Sequence, residues 1–231
     1  SDYLIQGVLT FAMALEENGF DRIEYKNKEI RKNNLLSNSK GNENGFCAVN
    51  NKYESELKGA EKDIFKKAQY ILLEGSTPKS ELNQLVKEVR GDGSELNDNG
   101  EYIKVILGSE VVKQGISFKN VREVHILEPW FHLNEMKQAQ GRAVRRGSHL
   151  NLIPKKRNVT TYLHIATHPT KEAGYTGENI ELIDEKTYRK AFDKLKNMAE
   201  VERLIKENAI DCQLNKNINY YLKNIYSQFG E

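Results

Sequence analysis

Short apolar runs alternating with helical stretches constrain this chain most. Tyr70–Leu73, Tyr102–Leu107, Glu123–Leu127 and Thr160–Ala166 read as strands. Between them, Thr77-Pro78 opens a helix that runs to about Val89, with proline in the first turn where its missing N–H costs nothing. Leu133–Arg146 reads as another helix. Strands joined through helices imply crossover connections, so the expected class is α/β: a mainly parallel sheet flanked by helices. Residues 6–18 carry Val8, Leu9, Phe11, Ala12 and Leu15 at helical spacing, closed by Gly19. Phe20–Tyr25 and Phe46–Val49 are further strand candidates, and residues 54–67 a helix or helical insert. Residues 26–44 are charged and rich in Asn, Ser, Gly and Lys, which predicts an exposed, partly disordered insertion. Residues 183–208 and 216–228 carry helical patterns. The expected organisation is an α/β domain over residues 1–180, with an insertion near 26–60, and a helical extension over 181–231.

Composition narrows the function classes. The 231 residues include 35 Lys or Arg against 33 Asp or Glu, a net charge of +2. A chain this balanced meets nucleic acid only through a local patch. No run of 18 apolar residues exists, so no membrane partner is expected. Ser1-Asp2 opens without the basic segment of a signal peptide. Two cysteines, Cys47 and Cys212, cannot make a disulfide framework, which points to the cytoplasm.

Chemistry concentrates in two runs. Gly108-Ser109-Glu110-Val-Val-Lys113-Gln114-Gly115-Ile-Ser117-Phe118 follows one strand, and Gln138-Ala-Gln-Gly141-Arg142-Ala-Val-Arg145-Arg146 follows the next. Ligands in open α/β sheets bind beyond the carboxyl ends of strands. Ser109, the Glu128-Pro129-Trp130 turn and the arginine helix are therefore expected along one sheet edge. Residues i and i+3 of a helix share a face, so Arg142 and Arg145 are expected to aim two forked cations at one polyphosphate. Gln138, four residues before Arg142, joins that face, and Gly141 allows close approach. A solvated basic face is the plain alternative for the arginines, as is a packing role for Trp130. No G-x-x-x-x-G-K-[S/T] phosphate cradle occurs, and the one Asp-Glu pair, Asp184-Glu185, opens a helix, where carboxylates favour the macrodipole. The five histidines lack metal-ligand spacing with either cysteine, so no metal site is expected.

These runs resemble motifs V and VI of superfamily 2 helicases and Swi/Snf-type ATPases. Residues 124–134 resemble the strand and loop that join them, and Ser1-Asp-Tyr-Leu-Ile-Gln6-Gly7-Val8 resembles motif IV. The order G-I-S-F, R-E-V-H-I-L, G-R-A-x-R-x-x-S-H is most similar to the nucleoside triphosphate phosphohydrolase I-like helicases of large DNA viruses. Residues 207–215 resemble that group's tail. The resemblance implies a second, C-terminal RecA-like domain of a nucleic-acid-dependent ATPase.

It implies arginine fingers at Arg142 and Arg145, reaching ATP and Mg2+ held mainly by an absent N-terminal RecA-like domain. It places Gln138, Gly141, Gly115, Ser117 and Glu110 near the nucleotide. Ser117 stands where many superfamily members have Asp, which weakens the ribose contact. Ser76, Thr77, Lys79, Ser109, Lys113 and Gln114 would grip a DNA or RNA backbone without reading its sequence. The full-length protein is expected to be an ATP-dependent helicase or translocase serving viral transcription or replication, in host cytoplasm or virion, with viral transcription components as partners. This piece by itself is expected to be inactive. The other class of reading is a non-catalytic nucleic-acid or protein-binding adaptor that keeps the fold.

Overall fold

A computed structural model describes residues 4–27, 29–37, 43–74, 78, 80, 83–84, 87, 97–109, 118–167 and 181–210. A wide π-helical turn, Leu4–Leu9, runs into α1 (Thr10–Glu17). Gly19, at φ +85°, ends it in a conformation that glycine adopts without strain. A Cβ there would sit 2.6 Å from both Asn44 O and Phe46 N, so no side chain fits.

Strands β1 (Asp21–Lys26), β2 (Glu29–Lys32), β3 (Gln69–Leu73) and β4 (Ile103–Gly108) form one sheet in the order β2-β1-β3-β4. β1, β3 and β4 are parallel, and β2 folds back antiparallel on β1. β3 is buried on both faces, as a central parallel strand should be. Its Tyr70 and Leu72 pack with Val8, Ala12 and Phe20, while Ile71 and Leu73 pack with Ile23, Ile103 and Phe118. Gln69 opposes Ile103 but Tyr70 opposes Val105, so Lys104 is an extra residue in β4. That bulge resets the alternation: Ile103 and Ile106 face one core, Val105 and Leu107 the other. Two more parallel strands, β5 (Glu123–Ile126) and β6 (Thr160–Leu163), pair with His125 opposite Tyr162. Helices α2 (Leu133–Ala143) and α3 (Ile183–Glu207) follow β5 and β6.

The chain divides into two compact units, Ser1–Glu128 with Met136–His164, and Pro129–Glu135 with Ile165–Glu231. In the second, Thr187, Tyr188 and Ala191 form the buried stripe of α3. Lys194 lies over the Phe131 ring at 5.8 Å, and Asp184 accepts the Ala166 N–H at 3.0 Å.

The α/β class holds, and three local expectations change. Part of the 26–44 stretch is an ordered edge hairpin, because β2 pairs with β1 from Ile23↔Lys32 to Lys26↔Glu29. Asn27, at φ +55°, makes the turn. Phe46–Val49 is no strand: Asn51, at φ +57°, doubles the chain back, leaving the single bridges Phe46↔Tyr53 and Cys47↔Lys67. Residues 54–67 hold only two 3-10 turns, Glu54–Glu56 and Gly59–Glu61, with the backbone extended at Leu57 and Lys58 between them. Most of the helix expected from Thr77 to Val89, and all of that at 216–228, lies outside the described residues.

Candidate functional site

α2 carries Gln138, Gly141 and Arg142. Glu135 in its first turn and Arg142 in its last complement the helix dipole. Met136 and Ala143, seven residues apart, are its buried side. Gln138 is exposed, whereas Arg142 is half-buried with its Nε fully enclosed. A Cβ added at Gly141 would meet nothing within 4 Å.

The helix stops at Ala143, so Arg145 lies outside it and the shared-face expectation for Arg142 and Arg145 is corrected. The cause is Ser148. Its N–H donates to Arg145 O at 3.0 Å and its Oγ takes the Arg145 N–H at 3.3 Å. Gly147, at φ +81°, permits the tight turn. Arg142 is thus held in the protein body, while Arg145 projects from the turn. The Arg145 guanidinium makes no hydrogen bond or ion pair among the described residues.

Three bonds fasten this turn to the chain entering β5: Phe118 N to Arg142 O at 3.1 Å, Asn120 N to Ser148 O at 3.0 Å, and His149 Nε2 to Val121 O at 2.7 Å. A carbonyl only accepts, so His149 carries its proton on Nε2, with Nδ1 2.8 Å from Ser148 Oγ. These bonds also correct the single-edge expectation. The arginines stand beside the segment that leads into β5, not beyond the end from which Glu128 leaves. Ser109 does occupy a carboxyl edge, just after β4, with its N–H 3.4 Å from Leu73 O. Of the Gly115-Ile-Ser117-Phe118 run only Phe118 is described, and its N–H donates to Arg142 O. Ser76, Thr77, Lys79, Glu110, Lys113, Gln114, Gly115 and Ser117 lie outside the described residues.

A depression of about 260 Å³ opens beside the turn, lined by Arg145, His149 and Arg157 with Val144, Leu150 and Val159. Two arginines that sequence reasoning passed over, Arg157 in its wall and Arg122 nearby in the chain entering β5, bond to this part of the backbone. Arg157 donates from Nε to Leu152 O at 2.7 Å and from an Nη to Leu150 O at 3.0 Å. Arg122 donates to Lys156 O and to Asn158 Oδ1. Carbonyls give such arginines no partner of recognisable sequence, so only the fold reveals them. On β5 and β6, His125 Nδ1 lies 2.9 Å from His164 Nε2 and its ring stacks on Tyr162 at 4.7 Å. Among the described residues no group of three His, Cys, Asp or Glu is placed to hold a metal ion. Nor is any helix there long and apolar enough to cross a membrane.

With this geometry in hand, comparisons with known proteins give it a family. The helicase conserved C-terminal domain model matches residues 26–147, more than half the chain. "Putative ATP-dependent RNA helicase R563" of Acanthamoeba polyphaga mimivirus is 41% identical over 125 residues, 54% of this chain and 20% of that protein. "Uncharacterized killer plasmid pGKL-2 helicase" of Kluyveromyces lactis is 33% identical over 132 residues, 57% of this chain and 20% of its own length. "Termination factor NPH-I homolog" of African swine fever virus is 34% identical over 125 residues, 53% of this chain and 18% of that protein. The chain therefore spans about a fifth of the length of these relatives. The parallel strands, the flanking helices and the arginine turn together make this chain a member of the helicase conserved C-terminal domain family, with its RecA-like fold.

Proposed function

We propose that this chain is the second motor lobe of a nucleic-acid-dependent ATPase, a helicase or translocase, that works in viral transcription or replication. In this reading residues 1–180 form the lobe and 181–231 a helical extension. ATP with Mg2+ is held mainly by a preceding RecA-like lobe, and closure of the two lobes brings Arg142 and Arg145 to its phosphates. Both guanidiniums neutralise charge that builds on the transferred phosphoryl group. Gln138 and Gly141 meet the nucleotide from α2, with Gly115, Ser117 and Glu110 beside its ribose. Ser109, with Ser76, Thr77, Lys79, Lys113 and Gln114, holds one strand of DNA or RNA, so that reopening after hydrolysis moves the strand.

The observation that carries this reading is the contrast at the arginine turn. Arg142 is half-buried, while Arg145 is exposed without a carboxylate partner among the described residues. Gly141 supports it. A glycine inside a helix costs about 1 kcal/mol against alanine, and the space beside it is empty. Nothing within the described residues requires a glycine there, whereas close approach of a second lobe or a nucleotide does.

The test is Arg142→Ala in the full-length protein. ATP turnover should fall about 10³-fold, the scale of an arginine finger, with nucleic-acid binding kept. Unchanged turnover sinks the assignment. If neither form hydrolyses ATP yet both bind nucleic acid, the adaptor reading replaces it.

A further inference from the structure

The chain's cations are unevenly placed. From Met136 to Lys171 the sequence holds eight Lys or Arg (137, 142, 145, 146, 155, 156, 157 and 171) and no Asp or Glu. The whole chain is nearly neutral, so this segregation is local. Three of the eight fall on one loop, Gly147–Asn158, between the arginine turn and β6. Arg157 and Arg122 clamp that loop through Leu150 O, Leu152 O, Lys156 O and Asn158 Oδ1. Leu152 is its buried anchor, 6% exposed. Pro154–Lys156 forms a 3-10 turn led by the proline.

A loop fixed this firmly would be expected to hide its apolar side chains. It presents them instead: Leu150 is 66% and Ile153 60% exposed. Lys155, Lys156 and Arg146 flank them, all exposed and none in an ion pair or side-chain hydrogen bond among the described residues. The ordering entropy that normally opposes binding through a loop is already met by the clamps.

We propose that this loop is a docking element for duplex nucleic acid, separate from the Ser109 edge. Unpaired cations on a rigid support suit a phosphate backbone. Aliphatic side chains between them suit a duplex rather than a single strand. Single-strand sites use aromatic platforms for stacking, whereas Leu and Ile serve as wedges against base steps in a groove. Lys155, Lys156 and Arg146 take phosphates, and Leu150 and Ile153 face the groove. The inference does not rest on the ATPase reading.

Fluorescence anisotropy of a labelled duplex, titrated with the full-length protein without nucleotide across a salt series, tests it. The Lys155→Gln/Lys156→Gln variant removes two phosphate contacts. The slope of log K against log salt should then become shallower by about 1.8, at roughly 0.9 per contact. Turnover without nucleic acid should be unchanged. The Leu150→Asn/Ile153→Asn variant should weaken duplex binding about tenfold and single-strand binding far less. An unaltered salt slope in the lysine variant overturns the proposal and assigns the surface to a protein partner. Equal losses on duplex and single strand in the apolar variant overturn the duplex assignment. Because binding is read without ATP, failure of the motor reading leaves these outcomes interpretable.

Discussion

Glu16 is fully buried on α1, and three donors converge on its carboxylate. Oε1 accepts from Leu35 N at 2.8 Å and Tyr70 Oη at 2.6 Å, and Oε2 from Leu36 N at 2.7 Å. One side chain thus ties the segment after β2 to the central strand. Burial first, then the hydrogen bond and charge of Glu16, push the Tyr70 phenol far above its ordinary range, so it remains a donor at any working pH. Truncating Glu16 would strand the buried Tyr70 hydroxyl, at about 1–3 kcal/mol, and leave two partly buried N–H groups without this acceptor. Glu16→Ala should therefore lower unfolding stability by about 1–3 kcal/mol in denaturant titration, and an unchanged stability would show that water replaces the carboxylate. No periodicity marks Glu16: it sits in a run Leu15-Glu16-Glu17 that reads as the polar end of a helix. Arg142 and Arg145 stand out in the sequence because their spacing is a motif, but their separation by a helix end does not. That end depends on a Ser148 hydroxyl and a left-handed Gly147.

At the scale of elements, α2 carries a glycine in its interior that costs it stability. Replacing Gly141 by alanine should stabilise the helix by about 0.5–1 kcal/mol, because a Cβ there meets nothing. The same change should cut nucleic-acid-stimulated ATP turnover in the full-length protein if that space admits the other lobe. A variant more stable and equally active would mean the space is idle. β1 offers a second test. Partial burial pushes the Asp21 carboxyl up, but Lys32 at 2.8 Å, Asn34 at 3.2 Å and Lys67 at 3.2 Å outweigh it, so it titrates below its ordinary value. A depressed folded value contributes stability above the unfolded carboxyl value, near pH 4, and that contribution disappears as pH falls through the folded value. Thermal unfolding of Asp21→Asn should thus fall below wild type at neutral pH and converge with it in acid. Parallel curves at all pH values would remove Asp21 from the account. β3, β4, β5 and β6 were readable from the alternation of strand and helix, and β1 as a further strand candidate. The Lys104 bulge was not, since one extra residue leaves the composition of a strand unchanged.

For the molecule as a whole, the order of elements and the class of fold could be read because alternation of strand and helix admits few solutions. What escaped was every connection made by a polar group to a backbone carbonyl, and with it the position of the arginine turn beside the chain entering β5. The stretch taken as a loose insertion has its own consequence. β2 ends the sheet with no buried residue, and its four positions read Glu29-Ile30-Arg31-Lys32. A strand from a second copy, arriving to extend the sheet, would have to strip water from three charged side chains to reach the open backbone. The hairpin therefore works as a stopper. It closes, at that edge, a row of hydrogen-bonding groups that β1 would otherwise offer to any extended chain, a second copy of this one included.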